Sequence, residues 1–268
     1  GKCRHTEAFA KILEMVAAND DTDPFLRHSL VQALADLGDV ELLSDCADHD
    51  SAAVRLAAVL ALRKLESPGV GAFLDDREER VRYSAIRAIN DLGILEALPA
   101  LADHIEKYID KAAGFRMPSG HRDWIIQHRL INANFRLGST EAARRLIAYA
   151  AAPHLPEIMR GQALDALKEW DQPTAVDPTV GFHRPLDLAT REGIESTIQT
   201  GFDKVFDSAN DTLLAKATGV ALLYGTPVAE ETLATLINNQ NAPESARLGA
   251  LRGLAAQNTA ALDPMFPS

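Results

Sequence analysis

The string "AAVRLAAVLALRKL", which begins at Ala52, narrows the possible folds of this chain more than any other feature. Within it Arg55, Ala58, Ala61 and Leu62 stand in the order R-x-x-A-x-x-A-L. The order returns in "ERVRYSAIRAINDL" with Arg82, Ala85, Ala88 and Ile89, and in "PFLRHSLVQAL" with Arg27, Leu30, Ala33 and Leu34. It returns again in "EIMRGQALDAL" with Arg160, Ala163, Ala166 and Leu167, and in "ESARLGALRGL" with Arg247, Ala250, Gly253 and Leu254. Two copies are looser: "IIQHRLINANF" carries His128 in the arginine slot, and "LLAKATGVALL" carries Lys216 there. Arg27, Arg55 and Arg82 stand 28 and 27 residues apart, which is room for two short helices. The repeated positions share one helix face, and alanine at two of them lets a neighbouring helix come close.

The stretches between copies fit partner helices. "TEAFAKILEMVAAN", "VELLSDCADH", "EALPALADHIEKY" and "TEAARRLIAYAAA" are amphipathic, and helix breaks fall at Gly38, Pro68 with Gly69, Gly93 and Gly138. Helical pairs that recur and stack make an α-solenoid. The expected fold is all-α, a right-handed α-α superhelix of about seven helix pairs. We expect helical repeats over 1–170, an extended connector over 171–189, and looser helical pairs over 190–268. The connector bears Pro173, Pro178 and Pro185, which rule out an ordinary helix. It is read as lying across the helices, with Phe182 and the preceding Trp170 pinning it.

Composition supports this reading. The chain is 47% hydrophobic but only 6% aromatic, so its core is built largely of small aliphatic side chains that suit close helix packing. A net charge of -11 repels phosphate backbones and sets nucleic acid aside as a partner. No run approaches the roughly 20 apolar residues of a membrane span. Two cysteines, Cys3 and Cys46, are too few for a disulfide framework. The chain opens Gly-Lys-Cys, without an initiator methionine or a leader, and is read as an excised piece whose localisation signals lie elsewhere.

The motif D…VR…A…AL, carried for example by Asp50, Val54, Arg55, Ala58, Ala61 and Leu62, resembles the HEAT-repeat family, particularly its short form from phycobilisome lyases. The resemblance covers most of 6–170 and returns, weaker, over about 190–266. It implies the fold and says little of the task, because such solenoids serve many. "NDDTDPFLRHSLVQAL", "RLINANFRLGSTEAARRL" and "ALKEWDQPTAVDPTVGFHRPL" look like the HEAT segment of large exported planctomycete-type proteins, which join it to a dehydrogenase-like propeller and a c-type haem domain. That narrower resemblance implies an exported or periplasmic parent in which this piece positions a redox domain. The haem attachment string C-x-x-C-H is absent, so no cofactor is assigned to this chain.

Motifs of catalysis are scarce. There is no H-E-x-x-H, P-loop, G-x-S-x-G or complete G-x-G-x-x-G. "SGHRDW" within the loop expected at 111–124 places Ser119, His121 and Asp123 close in sequence, but a triad needs geometry rather than adjacency; Asp123 is read as a helix cap. The eight histidines show no metal-ligand spacing, and His128 is read as filling the arginine slot. No catalytic or metal-binding residue is therefore expected.

Two residue sets remain. An acid precedes most repeat basic residues: Asp23, Asp50, Asp123, Glu157, Asp211 and Glu244. Such an acid can cap its helix and meet an arginine of its own or the next repeat. We expect a structural ladder that includes Asp23, Arg27, Asp50, Arg55, Arg82, Arg160 and Arg247. Positions five and eight residues after the repeat basic residue should point outward on the inner face: Gln32, Arg63, Arg87, Asn90, Arg136, Lys168 and Arg252, with Tyr83 nearby and Asp165 as the acidic exception. This face is basic and amide-rich and fits a protein partner, either a neighbouring domain in cis or an acidic or extended peptide in trans. The expected function is a non-catalytic scaffold; a HEAT-type lyase or DNA glycosylase ranks behind it.

Overall fold

The computed structural model describes residues 2–110 and 121–257. Among them lie fifteen α-helices and no β-strand. The chain divides into two compact units: residues 1–104 with 118–129, and residues 105–117 with 130–268. The connector 171–189 thus lies wholly within the second unit.

In the first unit, α1 (Lys2–Asn19) packs on α2 (Pro24–Leu37), which packs on α4 (Ala52–Lys64), which packs on α5 (Glu79–Leu92). The partner of α4 is α3 (Val40–Asp45) with a following 3₁₀ turn, and the partner of α5 is only a 3₁₀ helix over Pro68–Phe73. This pairing explains the short repeat, because one partner is reduced to two tight turns. Helix α6 (Leu98–Asp103) belongs to the first unit and α7 (Glu106–Ile109) to the second, and the division falls within α8 (His121–Leu137). In the second unit, α9 (Thr140–Ala151) packs on α10 (Glu157–Lys168). The short α11 (Glu195–Gly201) and α12 (Asp203–Asp207) pack on α9 and precede α13 (Asp211–Leu223), which lies against α10. Last come α14 (Glu230–Asn238) and α15 (Glu244–Gln257), packed on each other.

Seven helices among the described residues, α2, α4, α5, α8, α10, α13 and α15, each carry one copy of the repeat string. The repeat alanines do what their size allows: Ala58, Ala61, Ala85, Ala88 and Ala163 are fully buried. Gly38, Gly93 and Gly138 end α2, α5 and α8 in the left-handed conformation, with φ of 69°, 73° and 70°. Pro68 and Gly69 start the 3₁₀ helix rather than end an α-helix. Caps follow the acids and hydroxyls, with Asp23 accepting from the amides of Phe25 and Leu26, and Ser51 from Val54.

The loop expected at 111–124 falls largely outside the described residues, Ser119 included. From His121 onward the chain is α8, so Asp123 sits in the first turn of that helix instead of capping it.

Candidate functional site

The repeat arginines are structural, in a way the sequence does not state. The Arg55 side chain is 2% exposed and grips the equally buried Asp76 with two bonds, Nε to Oδ2 at 2.7 Å and Nη2 to Oδ1 at 3.1 Å. Its remaining nitrogen, Nη1, donates to the carbonyls of His49 (2.7 Å) and Asp50 (2.9 Å). Arg55 therefore ties the turn before its own helix to the turn before the next one. Arg82 donates to the carbonyl of Asp76 at 2.5 Å, and Arg27 pairs with Asp21. In the second unit Arg160 donates to Ala150 O (2.7 Å) and, toward the next repeat, to the carbonyl and hydroxyl of Ser208 (3.0 and 2.6 Å). Arg247 donates to Ile237 O at 3.0 Å. These contacts occupy carbonyls at or just beyond helix C-termini, which have no partner within the helix.

The expected acid–arginine ladder needs correction on this point. Asp23 caps α2 but is not the partner of Arg27, and the Asp50 side chain is fully exposed with only its carbonyl held by Arg55. Glu157 and Asp211 accept amide bonds from Asn210 (2.5 Å) and Asn239 (2.8 Å) of the following repeat. Asp165 pairs with Lys216, the basic residue of a loose copy. In the other loose copy the pairing passes from His128 to Arg129, which holds Asp91 by two bonds of 2.8 and 2.9 Å. Burial raises the Asp91 pKa, but Arg129's hydrogen bonds and charge outweigh that and hold it below the usual carboxylate range.

The connector is an ordered hairpin turn. Val176 and His183 face each other in an antiparallel bridge, and Gly181 takes φ 72° at the bend. Asp177 pins it: its carboxylate is fully buried, accepts from the amides of Thr179 and Val180, and meets Arg136 and Arg184 at 3.3 Å each. Asn132 of α8 donates to both of its oxygens. A second anchor follows. Trp170 is fully buried and donates to Glu192 O at 2.9 Å, while the Arg191 guanidinium lies 4.3 Å from the Trp170 ring and 4.7 Å from Phe135. Phe182, expected to pin this segment, is instead 65% exposed; the pins are Asp177, Trp170 and Arg191.

Two grooves lie between second helices, one in each unit. The first measures about 470 Å³ and is lined by Arg27, His28 and Val31 of α2, by Leu60, Arg63, Lys64 and Glu66 on and just after α4, and by Leu92 of α5. Among the described residues no carboxylate holds Arg63 or Lys64. The second groove, about 670 Å³, lies between α10, α13 and α15 and includes Asp165, Lys168, Asp211 and Lys216. Its floor is open at Gly219 and Gly249, where a Cβ would meet nothing within 4 Å.

The residues expected on the inner face divide accordingly. Arg63 lines the first groove and Lys168 the second. Gln32 is exposed but donates to Asp36 at 2.6 Å, and Arg252 is exposed outside the groove lining. Tyr83 and Arg87 stack on each other, 5.5 Å from guanidinium carbon to ring centroid, and Arg87 also bonds Asp91. Neither Asn90 nor Arg136 is open to a partner: Asn90 is buried against Asp91, and Arg136 is covered by the connector. The sequence reading passed over His28, Lys64, Leu60, Glu66 and Leu92 as groove residues. The helix wheel carried part of the signal, because 3.6 residues per turn puts positions one and nine after the repeat arginine on the same arc as five and eight.

Among the described residues no cluster of histidine, cysteine and carboxylate side chains could hold a metal ion. Cys46 is a free, buried thiol that burial pushes up to about 11. No helix among the described residues is long and apolar enough to cross a membrane. No family model, curated protein or solved structure matches this chain.

Proposed function

We propose that this chain is a non-catalytic helical-repeat scaffold of the HEAT type, whose second helices bind a protein partner. One observation carries the reading: each unit holds a groove between second helices, and a buried arginine staple ties one of those helices to the next repeat. A rigid surface binds with little ordering cost, which suits a protein whose task is to hold a partner in place. The stapling arginines are spent on structure, so binding falls to groove residues that the staples leave free.

Photo-crosslinking tests this. A crosslinking amino acid placed at Gln32 or Lys168, beside and within the grooves, should capture a partner in the native host. The same probe at Lys11 or Glu41, on first helices, should not. Adducts from the first-helix positions alone would move the working surface to the other face and remove the reading.

A further inference from the structure

The groove of the first unit differs from the rest of the chain in charge. The protein carries a net -11. Yet this groove is bordered by Arg27, His28, Arg63 and Lys64 against a single carboxylate, Glu66. Arg27 is committed to Asp21, while no carboxylate among the described residues meets Arg63 or Lys64. Their place in the last turn of α4 suits the helix dipole, which accounts for basic residues there. It does not account for both bordering one groove with their charges unanswered. Between them the floor is apolar: Val31 is buried, Leu60 half-buried and Leu92 38% exposed. The groove of the second unit offers the contrast, because there Lys216 is answered by Asp165, and Asp211 adds a further carboxylate to the lining.

We infer that the groove between α2 and α4 receives an acidic protein segment carrying an apolar residue between its carboxylates. The apolar side chain covers Leu60 and Leu92, and the flanking carboxylates meet Arg63 and Lys64. This rests on the scaffold reading above and names the partner chemistry for one of its two grooves. An arginine beside an apolar floor is a frequent anchor of protein interfaces, and its planar fork can take a carboxylate with two bonds. The acidic surroundings supply selectivity: they repel an extended polyanion such as nucleic acid, while a short acidic segment reaches the basic rim alone.

The test uses the whole chain and three labelled peptides in a fluorescence anisotropy titration. One alternates aspartate with leucine, one replaces each leucine by serine, and one replaces each aspartate by lysine. The aspartate–leucine peptide should bind, with affinity falling as salt rises toward about 0.5 M because exposed charges are then screened. The serine and lysine peptides should bind at least tenfold more weakly. The double variant Arg63→Glu with Lys64→Glu should lose the aspartate–leucine peptide while its melting temperature stays near that of the parent. Lys11→Glu, on the first helix α1 and away from both grooves, serves as the control and should leave binding unchanged. Equal binding of the lysine peptide, or unchanged binding by the double variant, overturns the inference. Tighter binding of a single-stranded oligonucleotide than of the acidic peptide overturns it in favour of nucleic acid. Crosslinks from Gln32 and Lys168 without any charge preference among the peptides would remove the acidic partner and leave the scaffold. Absence of both crosslinks and peptide binding removes the two together.

Discussion

The two units use the same repeat string and hold it together differently. In the first, Arg55 reaches the next repeat through a buried carboxylate, Asp76. In the second, Arg160 makes the equivalent reach to a serine hydroxyl and carbonyl, Ser208. The first joint is an ion pair with both members out of water; the second is a charged donor on neutral acceptors. A buried pair loses more than its own attraction when one member is removed, because the other charge stays behind unpaired. A motif read from sequence therefore fixes where a tie is made without fixing what it is tied to.

The largest expected effect separates the joints directly. Arg55→Ala should destabilise the chain by about 3–5 kcal/mol, because Asp76 is left buried without its counter-charge, holding only the amide of Glu78. Arg160→Ala should cost about 1–3 kcal/mol, the cost of carbonyls left without donors. Denaturant unfolding of both variants measures the difference, and equal losses would dissolve the contrast. Next in size, Asp177→Ala should cost about 3 kcal/mol by leaving the half-buried Arg136 and Arg184 against each other without a counter-charge. Limited proteolysis should then cut within 171–189 faster than in the unmodified chain.

A smaller effect depends on pH. Because Arg129 holds Asp91 below the ordinary carboxylate range, the pair's contribution is complete above the unfolded carboxylate value of about 4. It is lost as pH falls through the lower folded value. Arg129→Met should flatten the acid limb of a stability profile, and an unchanged slope would place the acid sensitivity elsewhere. The smallest effect is a gain. Glu66 sits at φ 49°, a left-handed conformation that glycine adopts without strain. Glu66→Gly should stabilise the chain by up to about 1 kcal/mol and, by removing the groove's one carboxylate, tighten the aspartate–leucine peptide.

The helix pairs were legible in the sequence because periodicity, capping acids and glycine stops are local signals. The turn glycines Gly38, Gly93 and Gly138 fell at the ends of α2, α5 and α8 as expected. The partners of the arginines were not legible. Arg82 reaches a carbonyl six residues back and Arg160 one ten residues back, and the length of the preceding turn decides which is near. Arg136 misled for a different reason. Its register does point away from the helix pair, but Asp177, 41 residues further on, folds back to cover it. An outward position on a helix wheel is free only if no later segment returns to it. Phe182 misled in the opposite sense, since an aromatic residue in a proline-bearing segment suggests an anchor, whereas within that segment the buried anchor is the Asp177 carboxylate, with Trp170 anchored just before it as expected.

The arm that Arg55 extends to Asp76 also bears on how the first unit comes apart. In a stack of repeats, each unit can in principle fray alone, at a cost set by its own stability and its neighbours' contacts. Opening the turn that holds Asp76 would strand a desolvated guanidinium in the adjacent repeat, so local fraying there carries part of the cost of opening both. Hydrogen exchange should accordingly show α4 and α5 losing protection in one cooperative step, the joint acting less as a hinge than as a rivet.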